Sequence, residues 1–118
     1  MRRTFSFVGL LLPILFAGCG GSAGIQLGSE SSAAAIRAAE EVGAGDVPRA
    51  ALLLQLAKEE AEKAKALNAA GEPEQAASLM LRSEADANLA VTVARAEHAR
   101  AKAVAAAERL RQLKQSNP

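Results

Sequence analysis

The chain has 118 residues, carries 14 Lys and Arg against 13 Asp and Glu, and is 50% hydrophobic. It contains no Trp, no Tyr and three Phe, so it offers little aromatic surface on which bases could stack. The nearly balanced charge provides no basic field of the kind that holds a nucleic-acid backbone, and we expect no nucleic-acid partner.

The N-terminal segment has the pattern of a processing signal. Two arginines precede an uncharged, apolar run over residues 5–17, and small residues follow up to Cys19. A membrane-spanning helix needs about 20 apolar residues, whereas this run is shorter and contains Pro13. We therefore predict that residues 1–18 are a signal peptide and not part of the fold.

The sequence Ala17-Gly18-Cys19 is the core of a lipobox, with Phe16 at the position where Leu is commoner. The Cys19 thiol would take a diacylglyceryl group, and cleavage before it would free an amine for a further acyl chain such as palmitate. Two acyl chains give stable anchoring. We predict that Cys19 is the lipidation site and that its lipid holds the protein on a membrane.

Two alternatives remain for Cys19: a free or disulfide-bonded thiol after an ordinary secretory signal, and an uncleaved signal anchor. Because it is the only cysteine, no bridge within the chain is possible. An Asp directly after the lipidated cysteine favours retention in the inner membrane of enteric bacteria. Here that residue is Gly20. We expect the outer membrane, facing the periplasm, with the inner membrane left open.

Removal of residues 1–18 leaves a chain without aromatic residues and with 12 basic and 13 acidic side chains. Alanine dominates, followed by other strong helix formers. We predict a lipidated cysteine and flexible tether over residues 19–32 and an all-α, alanine-rich domain over 33–115. The predicted fold is an antiparallel helical hairpin with a long second arm and a short N-terminal helix, either a small three-helix bundle or coiled-coil-like.

The first predicted helix covers residues 33–42, with Ser31 or Ser32 as its N-cap and the glycines of 43–45 as its stop. Its apolar face comprises Ile36, Ala39 and Val42.

The second predicted helix begins with Asp46 as cap and Pro48 in the first turn, and it continues to about Ala70. On its polar, exposed side, Glu59 and Lys63 are one turn apart and can pair. This side carries Lys58, Glu59, Glu60, Glu62, Lys63 and Lys65. Its apolar face comprises Ala50, Leu53, Ala57, Ala61, Ala64 and Leu67 or Asn68, widened by Leu52 and Leu56.

Residues 71–73, Gly-Glu-Pro, predict a tight turn into a third helix over 74–114, about 60 Å long. Because the second helix is shorter, the third should overhang from about Ala96. Its predicted apolar stripe, flanked by Leu79 and Val93, comprises Ala76, Met80, Ser83, Ala87, Ala90, Val91, Ala94, Ala101, Val104 or Ala105, and continues towards Leu113.

Candidate chemistry is sparse. A metal site needs three or four converging ligands, and the single histidine, His98, has no Asp, Glu or Cys one turn away. We interpret it as a solvated surface residue, and the cluster of Arg82, Glu84 and Asp86 as a solvated helix face. We expect no enzyme, no cofactor and no metal.

The end of the third helix is basic, although Glu97 and Glu108 dilute the charge. Such a segment can touch anionic lipid or wall polymers. Its cations are Arg95, Arg100, Lys102, Arg109, Arg111 and Lys114.

Several short segments of the hairpin follow a recurrent pattern: Pro48-Arg49-Ala50, Ala57, Ala61-Glu62-Lys63-Ala64, Gly71-Glu72, Ala76-Ala77 and residues 83–90, Ser-Glu-Ala-Asp-Ala-Asn-Leu-Ala. With these segments the hairpin resembles a family of bacterial envelope proteins, the domain of unknown function numbered forty-three ninety-eight. The resemblance covers about residues 30–105, and Pro73 stands where the family often has an aromatic residue. It implies a short alanine-rich lipoprotein and brings no catalytic residue.

Two functional hypotheses follow. The first is a lipid-anchored periplasmic interaction or scaffolding module whose alanine stripe packs against itself or an envelope partner. The alternative is a coiled-coil spacer lipoprotein that oligomerises. The overhang supports the spacer, whereas the turn at 71–73 opposes it, because a spacer would prefer one unbroken helix.

Overall fold

The computed structural model describes residues 21–117, which are almost entirely helical. Helix α1 spans Gly21–Glu41, α2 spans Pro48–Ala69 and α3 spans Pro73–Ser116, and a 3₁₀ turn at Ala44–Asp46 joins α1 to α2. The described residues contain no strand. The predicted all-α class and the hairpin with a long second arm are confirmed.

The three helices form a bundle in which α2 runs antiparallel to both α1 and α3. Ser32 contacts Ser83 and Val42 contacts His98, so residue numbers rise together along α1 and α3. Helix α1 packs more extensively on α3 than on α2. The start of α1 therefore lies at the same end of the bundle as the turn between α2 and α3.

The bundle core follows a coiled-coil pattern. In each helix the residues of the buried seam are separated by alternating steps of four and three, which give the 3.5-residue period of a helix that keeps one seam against its partners. The buried Glu60 and Val91 lie directly beside the seam. The buried seams are Ser32, Ala35 and Ala39 in α1; Ala50, Leu54, Ala57, Ala61 and Ala64 in α2; and Ala76, Met80, Ser83, Ala87, Ala90 and Ala94 in α3.

Most of these seam positions hold alanine, so the core contains few large side chains. Met80 is the largest side chain that is fully buried, and the half-buried Ile36 packs against all three core clusters. Gly28 continues the α1 seam, where a Cβ atom would lie 3.3 Å from the Met80 Cβ. Small residues thus allow the helices to approach closely but bury little area.

The helix ends combine left-handed glycines with N-terminal prolines. Gly43 follows α1 with φ 74° and Gly71 follows α2 with φ 81°, a conformation that glycine adopts without steric cost. Pro48 and Pro73 begin the next two helices. The stops predicted at Gly43 and Gly71 and the starts predicted at Pro48 and Pro73 are confirmed. Asp46, however, is not the cap of α2: Val47 occupies that position without a side-chain hydrogen bond.

The largest difference from prediction concerns the start of α1. The flexible tether predicted over 19–32 is wrong for residues 21–32, which belong to α1, whereas Cys19 lies outside the described residues. Ser31 and Ser32 are inside the helix and do not cap it. Packing of Gly28 and Ser32 against α3 overrides the weak helix propensity of a Gly- and Ser-rich segment.

The apolar faces predicted for α2 and α3 are buried in the middle of the bundle, but several of their outlying members are exposed. Leu54 is buried where Leu53 was expected, and Leu52 and Leu56 are 70% and 41% exposed. Glu59 accepts a hydrogen bond from Gln55 and does not pair with Lys63. In α3 the stripe is buried as predicted up to Ala94; further on, its predicted members, from Ala101 to Leu113, are exposed.

The close packing predicts that enlarging a core alanine is costly. Ala87 is fully buried, so Ala87→Leu should lower the free energy of unfolding by about 1–3 kcal/mol through overpacking. Ala105→Leu is the matched control, since Ala105 is exposed on the same helix. Urea denaturation followed by circular dichroism measures both, and equal effects would contradict the bundle packing.

Candidate functional site

The predicted lipidation site and signal peptide cannot be placed against the fold, because Cys19 and residues 1–18 lie outside the described residues. Within residues 21–117, none of the helices combines the length and the apolar character needed to span a bilayer. The described residues offer two kinds of feature for a functional site, polar groups in the bundle and exposed surfaces of the helices.

A chain of two serines joins all three helices inside the core. Ser83 donates to the backbone oxygen of Ala57 at 2.7 Å, and the Ser32 and Ser83 Oγ atoms are 2.6 Å apart. Because the single hydroxyl hydrogen of Ser83 is used on α2, Ser32 must be the donor between the serines. Sequence patterns identified Ser83 as a stripe member but missed Ser32, since a serine on a buried seam looks like any small residue.

Glu60 is the one charged residue buried in the described bundle, and sequence analysis placed it on the exposed face of α2. Its Oε1 lies 2.6 Å from Nη2 of Arg82 on α3, while its Oε2 is buried without a hydrogen-bond partner. Arg82 and Asp86 were predicted to form a solvated cluster with Glu84. The structure instead directs Arg82 and Asp86 towards Glu60, whereas Glu84 accepts a hydrogen bond from Ser31.

Burial raises the pKa of Glu60 above its ordinary range, because desolvation disfavours the charged carboxylate. Arg82 opposes this shift, whereas the carboxylate of Asp86 adds to it through charge repulsion and through a hydrogen bond that forms only when Glu60 is protonated; Lys63 also lowers the pKa. A protonated Glu60 can donate to Asp86, so the pair can hold a proton between α2 and α3. General acid–base catalysis would need that proton to face a substrate.

His98 has a structural partner, unlike the solvated residue that we predicted. It is half-buried, and its Nε2 lies 3.1 Å from the backbone oxygen of Val42. Since a carbonyl oxygen only accepts, Nε2 must carry the hydrogen. His98 therefore satisfies a carbonyl at the C-terminal end of α1, one of the groups that a helix leaves unpaired.

An open groove of about 330 Å³ lies between α1 and α2, the pair of helices that pack least extensively on each other. Its apolar lining includes Ile36 and Met80, and Arg37, Lys58 and Lys65 lie around it. Lys58 pairs with Glu40 and Lys65 pairs with Glu62, so two of the three cations are neutralised within the chain. The groove thus has little net charge with which to select a ligand.

The described residues contain no group of three or more His, Cys, Asp or Glu side chains that could hold a metal ion. Comparison with known protein families, characterised proteins and solved structures finds no match to this chain. The resemblance to the envelope lipoprotein family stays a prediction, and function must be argued from the chain itself.

The serine chain should contribute to stability as a unit. Ser83→Ala leaves the buried Ser32 hydroxyl without its acceptor and should cost about 1–3 kcal/mol of unfolding free energy. The double change Ser32→Ala with Ser83→Ala should cost less than the sum of the single changes, because no orphaned hydroxyl remains. A double-mutant cycle by urea denaturation measures the coupling, and strict additivity would contradict the hydrogen bond.

Glu60 should make the stability depend on pH. The folded protein keeps a proton on Glu60 at pH values where the unfolded chain has released it, so the unfolding free energy falls as pH rises from the ordinary glutamate pKa through the raised one. Glu60→Gln should remove this decline and stabilise the protein most above that window. Unfolding measured across pH tests this, with Glu62→Gln, whose side chain is 72% exposed, as the control that should keep it.

Proposed function

We propose that this chain is a lipid-anchored helical protein of the bacterial envelope, held by Cys19 in the outer membrane and facing the periplasm, where it serves as an interaction or scaffolding module. The observation that carries the proposal is Ala17-Gly18-Cys19 directly after an apolar run of signal-peptide length. The resemblance of residues 30–105 to alanine-rich envelope lipoproteins supports the same assignment.

The fold suits a module that presents a surface at a distance from an anchor. Helix α1 begins at Gly21, two residues after Cys19, and runs parallel to α3. At 1.5 Å per residue, the end of α3 lies roughly 65 Å along the axis from the start of α1. The last part of α3 projects beyond the other helices, since residues 95–117 are exposed except for His98.

The alternative is a coiled-coil spacer that oligomerises. The 3.5-residue spacing of buried residues favours it. The bundle, however, already uses that seam within one chain, because the buried residues of α3 face α1 and α2. A spacer built on this seam would have to open the hairpin, so we favour the interaction module.

The proposal predicts that membrane attachment depends on one sulfur atom. Cys19→Ala should leave an unprocessed precursor and abolish the acylated form, because the thiol is the acceptor of the lipid. Gly21→Ala is the matched control, since it changes a small residue just past the processing site and should be acylated normally. Cell fractionation and mass spectrometry of the purified full chain measure both properties.

A native protein that still begins at Met1 and carries no acyl mass would contradict the lipid anchor. Gly20→Asp tests the membrane assignment separately: in an enteric host it should shift the protein from outer-membrane to inner-membrane fractions. An unchanged inner-membrane location before and after the substitution would contradict the proposed outer-membrane address.

A further inference from the structure

Helix α3 carries a second apolar face that the bundle does not cover, here called the outer stripe. All of its members are exposed, including Leu81 at 64%, Leu89 at 46%, Leu110 at 53% and Leu113 at 66%. Successive members are three or four residues apart, which keeps them on one side of a helix. The outer stripe consists of Leu81, Ala85, Leu89, Thr92, Ala96, Ala99, Ala103, Ala106, Leu110 and Leu113.

The outer stripe lies on the opposite side of α3 from the buried seam. At about 100° per residue, its members centre roughly 160° away from Ala87, Ala90 and Ala94. Leu113, predicted as the end of the buried stripe, belongs to this outer face. Leu81 and Leu89 lie in the part of α3 that packs on α1 and α2. The outer stripe therefore extends along the bundle as well as along the overhang.

We propose that the outer stripe is the interface of an antiparallel dimer, occupied by α3 of a second copy of this chain. We place the two α3 helices so that Ala96 of one copy lies opposite Ala99 of the other. In this register, Leu110 of one copy lies opposite Ala85 of the other, and Leu89 lies opposite Ala106. Leu89 and Leu110 therefore each meet an alanine. Leu81 of each copy lies beside Leu113 of the other, and the two-fold axis repeats all of these contacts. Antiparallel helices pair a with d positions of a heptad, and these pairs obey that rule.

The size pattern and the charges both select the antiparallel orientation. A parallel copy would place each leucine against its own counterpart and not against an alanine, and it would bring Arg109 of each chain close to Lys114 of the other. The antiparallel copy places Arg109 beside Glu84 instead. It brings Arg95 near Lys102 of the second copy, and this repulsion sets a limit on the affinity.

The dimer would also supply the large-side-chain burial that the bundle lacks. Met80 is the largest fully buried side chain of the single chain, whereas the outer stripe exposes four leucines. In the proposed register the overhang of each copy covers Leu81, Ala85 and Leu89 of the other. This inference rests on the interaction role proposed above and not on the lipid at Cys19.

Sedimentation equilibrium of the full chain in a density-matched non-ionic detergent tests the dimer. The unchanged chain should be dimeric at micromolar concentrations, and Leu110→Glu should raise the dissociation constant about a hundredfold or more, since each dimer would bury two unpaired carboxylates. Val104→Glu is the matched control: Val104 is 66% exposed on the same overhang but lies off the outer stripe, so this variant should remain dimeric.

A second variant gives a gain in affinity. Lys102→Glu replaces each Arg95–Lys102 repulsion by an attraction at two places in the dimer and should tighten it about tenfold at low salt. Orientation is measured by disulfide formation in chains that also carry Cys19→Ser: Ala85→Cys mixed with Leu110→Cys should crosslink, and each variant alone should not.

A chain that stays monomeric up to millimolar concentration, a trimer, or crosslinking of Leu110→Cys with itself would overturn the proposal. A dimer that is equally sensitive to Leu110→Glu and Val104→Glu would overturn it as well. A chain that is monomeric but acylated would contradict the dimer and not the lipid anchor. A dimer without acyl mass would contradict the lipid anchor and not the dimer, so the two proposals can fail separately.

Discussion

The structure depends on the close approach of three helices, which is possible because their facing positions hold alanine, serine or glycine. The 3.5-residue spacing keeps each row of small side chains along one seam, so that the helices contact each other over most of α1 and α2. Each alanine buries little surface, and stability must come from many weak contacts and from high helix propensity. A bundle of this kind is sensitive to an added methylene group and tolerant of exposed substitutions.

The same narrow spacing explains why polar groups enter the core. Ser32 and Ser83 are nearly as small as alanine. The Ser32 hydroxyl donates to Ser83 at 2.6 Å, and Ser83 donates to the backbone oxygen of Ala57. Glu60 differs, since one of its carboxylate oxygens is paired with Arg82 and the other is buried without a partner. The serines fix the register of three helices, whereas Glu60 makes the contact between α2 and α3 depend on its protonation.

Local sequence signals were sufficient where a single residue decides the backbone. Gly43 and Gly71 end helices and Pro48 and Pro73 begin them because their backbone preferences act within one turn. The α3 seam from Ala76 to Ala94 was also predictable, since its spacing is regular.

Features that depend on a distant partner were not predictable. Residues 21–32 are helical, and within them Gly28 and Ser32 pack against α3. The environment of Glu60 likewise includes Arg82 and Asp86, more than twenty positions further along the chain. The hydrogen bond between His98 and the backbone oxygen of Val42 could not be predicted either, because the two residues are brought together only by the packing of α1 on α3. Leu113 of the outer stripe was assigned to the buried stripe, because in an alanine-rich helix both faces have similar spacing and the position of the neighbouring helices decides which is covered.

The direction of α1 connects the proposed anchor to the proposed dimer. Because α1 runs parallel to α3, an antiparallel pair of α3 helices places the two α1 N-termini at opposite ends of an assembly roughly 75 Å long. Two lipids in one bilayer would then require the long axis to lie along the membrane, with the helices forming a brace on its surface. An upright spacer requires the opposite arrangement, with the anchors together and the tips of α3 far from the bilayer. Orientation of the helix pair thus determines which envelope role the fold can serve: antiparallel pairing fits a scaffold along the membrane and excludes an upright spacer.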